Sequence, residues 1–174
     1  MNVFKSAGFV IGIVIGLIAC VVLFKISNTN HKSKTEYDER QQEIRGKAYR
    51  YAFYVLAVYE AVMVCITIGE IPLPLGPAMQ HALGIFISCT FLAAYCIKHD
   101  VYWGLNNNPK RYSIIFLVAG LINAIPVVAS IASGTFFENG QVSSVLINLL
   151  ALIMIVVIGV ELLIKKAAAR REED

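Results

Sequence analysis

The sequence predicts an all-α fold: a polytopic integral membrane helix bundle of about five transmembrane helices, N-terminus outside and C-terminus in the cytoplasm (N-out/C-in). Three observations predict it. The composition is 57% hydrophobic and only 16% charged, with a mean hydropathy of +0.67, whereas soluble domains carry about 45–50% apolar and about 25% charged residues. The apolar residues fall in blocks, because Ser6 to Phe24, Ser113 to Thr135 and Gln141 to Val160 contain no charged side chain. The basic residues, finally, gather on one face of the path those blocks define.

A helix needs about 20 residues to cross a hydrocarbon core of about 30 Å. On that measure the spans fall at 6–26, 48–69, 80–98, 113–133 and 142–164. The chain of 174 residues then reads as a single membrane domain, with a cytoplasmic linker and helical stalk over 27–47 and a charged cytoplasmic tail over 165–174. Spans two and three are separated by Ile71-Pro72-Leu73-Pro74-Leu75-Gly76-Pro77, a segment that cannot stay helical because proline lacks an N–H and clashes with the preceding turn.

Lys25, Lys32, Lys34, Arg40, Arg45, Lys47 and Arg50 lie between or just inside the first two spans. Lys98, Lys110 and Arg111 lie between the third and fourth, and Lys165, Lys166, Arg170 and Arg171 follow the fifth. The loops around 70–79 and 134–141 have none, so of 15 Lys and Arg only Lys5 falls on the other side. Short loops rich in Lys and Arg stay cytoplasmic, which selects N-out/C-in. Tyr49, Tyr51, Tyr54, Tyr102, Trp103, Phe136 and Phe137 fall near span ends, where rings sit at headgroup level. Leu17-Ile18-Ala19-Cys20 resembles a lipoprotein cleavage signal, but Val21-Val22-Leu23-Phe24 continues the span where a mature lipoprotein would turn polar.

Chemistry-bearing features are few. Cys20, Cys65, Cys89 and Cys96 show no CxxC or CxxH spacing, so neither a disulfide framework nor a metal site is expected. Gly8, Gly12 and Gly16 form a GxxxGxxxG series, which lets another backbone approach closely and marks a helix-packing seam, within the chain or between copies of it. Glu60 lies inside span two, where an ionised acid costs roughly 3 kcal/mol. It is expected to face the bundle, neutral, with polar company from Asn123 and Asn148; Tyr59, Ser88 and Thr90 are further candidates, and Pro126 frees a carbonyl near Asn123. Whether Glu60 is structural or carries ions stays open at this point. Glu161, four residues before Lys165, has the spacing of an end-of-helix pair.

In the stalk, Thr35 with Asp38 three residues on suggests a helix start, and Glu36–Arg40 and Glu43–Lys47 are i,i+4 pairs. A helix from here into span two would stand roughly 15–20 Å above the membrane. The string Tyr37-Asp38-Glu39-Arg40-Gln41, with Arg45-Gly46-Lys47-Ala48 and Tyr51-Ala52-Phe53, resembles uncharacterised small multi-pass membrane proteins of Gram-positive bacteria that carry a DERQ-type motif before a transmembrane helix. These are often encoded beside helix-turn-helix regulators. The resemblance covers about twenty residues; it implies a bacterial plasma membrane and a partner-binding stalk at Asp38, Glu39, Arg40, Gln41, Arg45 and Lys47, and it supplies no activity.

The expected function is therefore that of a non-enzymatic accessory or regulatory subunit. Its partners would be the lipid bilayer, a membrane or cytoplasmic protein and further copies of the chain, with no nucleic acid, cofactor or metal. The alternative is a small oligomeric transporter or channel with Glu60 in its pathway; an intramembrane enzyme lacks a catalytic set.

Overall fold

The computed structural model describes residues 3–138 and 140–173, with side chains described for 11, 12 and 14–171 apart from 139. The helices are α1 (Val3–Ser27), α2 (Glu39–Ile68), α3 (Pro77–Lys98), α4 (Pro109–Ala132) and α5 (Leu146–Glu173). Among the described residues, α2 to α5 are each long and apolar enough to cross a membrane, and α1 contributes the apolar stretch Val14–Ser27. The fold is thus a membrane-type helix bundle.

The departures from expectation lie at the ends of elements. Helix α5 runs past the expected end of its span at 164 and continues to Glu173. A two-residue hairpin, β1 (Phe137–Glu138) with β2 (Gln141–Val142), interrupts the α4–α5 loop in the register Phe137↔Val142 and Glu138↔Gln141. Asn139-Gly140 between them is a strong two-residue hairpin signal, and Gly140 takes the positive φ of 76° that such turns demand. The stalk helix starts at Glu39, not at Thr35. Residues 34–37 are held outside the helix instead: the Glu36 N–H donates to Asn106 Oδ1 (2.8 Å) and the Glu36 carbonyl accepts from the Leu105 N–H (2.8 Å). Glu36 therefore meets Lys32 at 3.4 Å in place of the expected Arg40.

The chain divides into two compact units, Met1–Asp38 with Trp103–Ile114, and Glu39–Tyr102 with Ile115–Asp174. In the first, the C-terminus of α1 is bound to the start of α4. Arg111 Nη1 donates to the Ile26 carbonyl (2.9 Å) and the Asn108 N–H to the Ser27 carbonyl (3.2 Å), satisfying acceptors that end an α-helix without partners. Asn108 Oδ1 in turn accepts from the N–H groups of Lys110 (3.1 Å) and Arg111 (3.3 Å), as an N-cap does. Around this junction Asn28, fully buried, and Asn106, 5% exposed, are hydrogen-bonded throughout. Gly104 is required here, since a Cβ would run into the Thr35 methyl and the Glu36 carbonyl.

In the second unit α3 packs against both α2 and α5, and a Cβ on Gly120 of α4 would stand 3.6 Å from Ile155 of α5. Pro77 opens α3 with Gly76 before it, proline serving at a position whose N–H would be unpaired anyway. Three helices close with the paired bonds of a Schellman motif. After α2, Ile71 N–H reaches Ile66 O and Glu70 N–H reaches Thr67 O; after α3, Val101 reaches Cys96 and Asp100 reaches Ile97; after α4, Thr135 reaches Ser130 and Gly134 reaches Ile131. The left-handed residue at each is Glu70 (φ 52°), Asp100 (φ 61°) and Gly134 (φ 70°).

Val101 then folds back into a core with Ala48 and Cys96, all 2% exposed or less, flanked by Ile44, Leu92, Tyr95 and Tyr102. Away from that core most large apolar side chains point outward, Ile125 and Val128 of α4 among them, as lipid-facing positions require. At the opposite end of the unit, the Val142 N–H donates to the Pro74 carbonyl (2.8 Å) and joins the α4–α5 hairpin to the α2–α3 turn.

Candidate functional site

An antiparallel hairpin sets opposite each other residues at similar distances from its turn. In the α2–α3 hairpin this brings Ser88 to the Ala52 carbonyl (Oγ donating, 2.7 Å) and Tyr59 to the Gln80 carbonyl (Oη donating, 2.7 Å). It also brings Glu60 to His81. Glu60 Oε2 lies 2.9 Å from His81 Nδ1, with the carboxylate side chain 34% exposed and the imidazole 63% exposed. The two groups stand on the wall of a cleft of about 570 Å³ at the end of α2, the α2–α3 turn and the start of α3. Its other polar groups are Thr67, Glu70 and Gln80, and its remaining wall is apolar, with Met63, Val64 and Leu73.

This corrects the expected company of Glu60. Asn123 Nδ2 donates instead to the Ala119 carbonyl of its own helix (2.8 Å). Asn148 lies in the first turn of α5, and among the described residues no hydrogen bond joins it to Glu60. The reason is the packing order: α2 has α3 as its close neighbour, so an acid facing the bundle from α2 meets α3 first. Ser88 and Thr90 are likewise engaged elsewhere, Thr90 with the Phe86 carbonyl (2.7 Å). Glu60 lies in the second half of its helix, eight residues before Ile68, or about 12 Å along the axis.

The stalk residues separate into two sets. Gln41, Ile44, Arg45 and Ala48, spaced to share one helix face, are buried or half-buried. Arg45 Nη1 donates to the Val101 carbonyl (3.1 Å) and Nη2 to Tyr49 Oη (3.2 Å). Glu39, Arg40, Glu43 and Lys47 are exposed. Glu43 and Lys47 form the expected i,i+4 pair at 2.7 Å. That hydrogen bond, followed by the charge attraction, holds the Glu43 carboxyl below its ordinary range and raises Lys47 above its own. Asp38 immediately precedes the helix. The stalk is therefore half seated: the face with Gln41, Ile44, Arg45 and Ala48 is turned to the protein, with Ile44 and Ala48 packed at Cys96 and Val101, and the other face is exposed.

At this same end Lys165 leaves its expected partner Glu161. Its ammonium pairs with Asp100 (2.6 Å) and donates to the carbonyls of Ile97 (2.6 Å) and Lys98 (3.1 Å), closing the C-terminus of α3 from α5. In α1, a Cβ at Gly12 or Gly16 would meet nothing within 4 Å, so no described residue fills that seam; the surroundings of Gly8 lie outside the described residues.

His81, Glu70 and the junction asparagines Asn28, Asn106, Asn107 and Asn108 carried no expected role. Hairpin register was the available signal for His81, and the Asn106-Asn107-Asn108 run for the polar junction. Among the described residues no three His, Cys, Asp or Glu side chains converge as a metal site. Comparison with family models, curated proteins and solved structures found no match to the chain.

Proposed function

We propose that the chain is a non-enzymatic accessory or regulatory subunit of a bacterial plasma membrane, inserted N-out/C-in, that acts through a protein partner docking on the stalk. One observation carries this reading. Glu39, Arg40, Glu43 and Lys47 share an exposed face on a helix whose opposite face is seated on Cys96 and Val101. A charged face on a mobile tether would lose side-chain and backbone entropy on docking, whereas a face held by a packed core has already been ordered. Its mixed signs favour a polar, sign-patterned partner surface and fit an anionic lipid surface poorly.

The test inverts the pattern without breaking the helix. Arg40→Glu with the exchange Glu43→Lys and Lys47→Glu keeps an i,i+4 pair while reversing three of the four signs on the face. Co-purification from native membranes should lose a partner that the parent retains, with insertion and thermal stability unchanged. Retention of every partner would defeat the proposal. Arg45 is left alone, because its bond to Val101 makes it part of the support.

A second reading, a small oligomeric transporter with Glu60 in its pathway, is favoured by the position of Glu60 and His81 on one cleft wall.

A further inference from the structure

The cleft at the α2–α3 turn has a charge balance that narrows what it can hold. Among the described residues its walls include two carboxylates, Glu60 and Glu70, and no lysine or arginine. The polar hydrogens around it are largely committed within the protein. Thr67 Oγ1 donates to the Met63 carbonyl (2.9 Å), Gln80 Nε2 to the Leu75 carbonyl (2.8 Å), and His81 Nδ1 faces Glu60 (2.9 Å). What remains is acceptor capacity: the second oxygen of Glu60 and the carboxylate of Glu70. The rest of the surface is hydrocarbon from Met63, Val64, Ile66, Ile68, Ile71 and Leu73.

Four classes of occupant can be weighed against that surface. An anion would meet two carboxylates and no fixed cation. A divalent metal needs several converging oxygen or nitrogen ligands, and among the described residues no such group of three is present. A neutral acyl chain would cover carboxylates and take their water without compensation, which is costly for a charge. A monovalent organic cation with an apolar body satisfies both features at once, its charge against the carboxylates and its hydrocarbon on the aliphatic wall. The cleft volume of about 570 Å³ lies within the range of small-molecule sites.

The position of Glu70 adds to this. It occupies the left-handed residue of the motif that ends α2, with φ 52°. A glycine there would be free of strain, and α4 uses Gly134 at the equivalent place. Glutamate is the more costly choice for the backbone, and it sets a carboxylate on the rim of the cleft.

We propose that this cleft binds an amphiphilic monovalent organic cation, held by Glu60 and Glu70 over an apolar wall. The proposal requires neither the stalk partner nor transport, and its residues lie at the opposite end of α2 from the docking face.

The experiment uses the purified full-length chain in nanodiscs of zwitterionic lipid, with tetraphenylphosphonium as the probe and tetraphenylborate, of similar size and opposite charge, as the control. Equilibrium dialysis against empty nanodiscs should show saturable uptake of the cation and none of the anion. Glu60→Gln should weaken binding at least tenfold. Glu70→Asn should also weaken it, and because asparagine tolerates the left-handed conformation, thermal stability should be kept or raised. Equal saturable uptake of both ions, or unchanged cation binding in the Glu60→Gln/Glu70→Asn double variant, would overturn the proposal. Loss of cation binding with stalk co-purification intact would support this site alone, whereas loss of co-purification in the stalk variant leaves the cleft result unaffected.

Discussion

The ring of Tyr59 on α2 lies over Gly84 on α3, at a point where a Cβ would overlap the ring's Cδ1 and Cε1 atoms. The ring cannot swing clear without losing the bond from its hydroxyl to the Gln80 carbonyl (2.7 Å). Gly84→Ala should therefore destabilise the hairpin by about 1–3 kcal/mol, the usual cost of overfilling a packed site. Tyr59→Phe keeps the ring and loses one interhelical hydrogen bond, worth about 0.5–1.5 kcal/mol. Unfolding in mixed micelles measures both, and a Gly84→Ala chain as stable as the parent would show that the helices separate freely.

Asn106 should be among the least replaceable side chains outside the spans. At 5% exposure, its Oδ1 accepts from the Glu36 N–H, its Nδ2 donates to Asn30 Oδ1 and the Lys34 carbonyl, and its own carbonyl accepts from Thr29. Asn106→Asp preserves shape but turns two donations into oxygen–oxygen contacts. The expected loss is about 2–3 kcal/mol, since a nearly buried oxygen is then set against two acceptors with which it cannot pair. Amide exchange at Glu36 and Leu105 should rise with it. Unchanged protection at those amides would show that the junction does not depend on this side chain.

The contrast between these two sites explains what was legible beforehand. The spans could be read because a charge-free block such as Ser113 to Thr135 is a local property of the chain. The stalk's running on into the second span could be read too, from the i,i+4 spacing of Glu43 and Lys47 directly before that span. The Asn106 junction could not, because its partners at Asn30 and Glu36 lie some seventy residues away and follow no period. The partner of Glu60 was missed for a different reason. Asn123 and Asn148 were favoured for their polarity, but the register of the α2–α3 hairpin decides which groups meet.

The Lys165 ammonium makes a further measurable contribution. It closes two carbonyls at the end of α3 and pairs with Asp100, the left-handed residue that follows that helix. Cations stabilise helix C-termini by satisfying acceptors and complementing the helix dipole. Lys165→Met keeps the apolar stem, so the expected loss of about 1 kcal/mol reports the charge, discounted for partial exposure. Asp100→Gly removes the ion pair yet relieves the left-handed backbone, and its net effect should be smaller. If Asp100→Gly proves the more damaging of the two, the ion pair outweighs the capping bonds.

The last prediction concerns which face of the membrane each loop occupies, and it separates into two parts. The Val142 N–H donates to the Pro74 carbonyl, so the α2–α3 turn and the α4–α5 hairpin must lie on the same side whichever way the chain inserts. Single cysteines introduced at Leu73 and Phe137, in a background lacking the native four, should therefore label together or not at all. Which outcome occurs depends on charge: those two loops lack Lys and Arg, whereas Lys32, Lys34, Lys110 and Arg111 flank the other ends. Moving such a cluster across the bilayer opposes the bias that sets orientation during insertion. Leu73→Cys and Phe137→Cys should react with an impermeant maleimide on intact cells, while Ser33→Cys and Leu105→Cys react only after permeabilisation. Discordant labelling of the first pair would contradict the fold, whereas concordant but reversed labelling would leave the fold standing and defeat the N-out/C-in orientation alone.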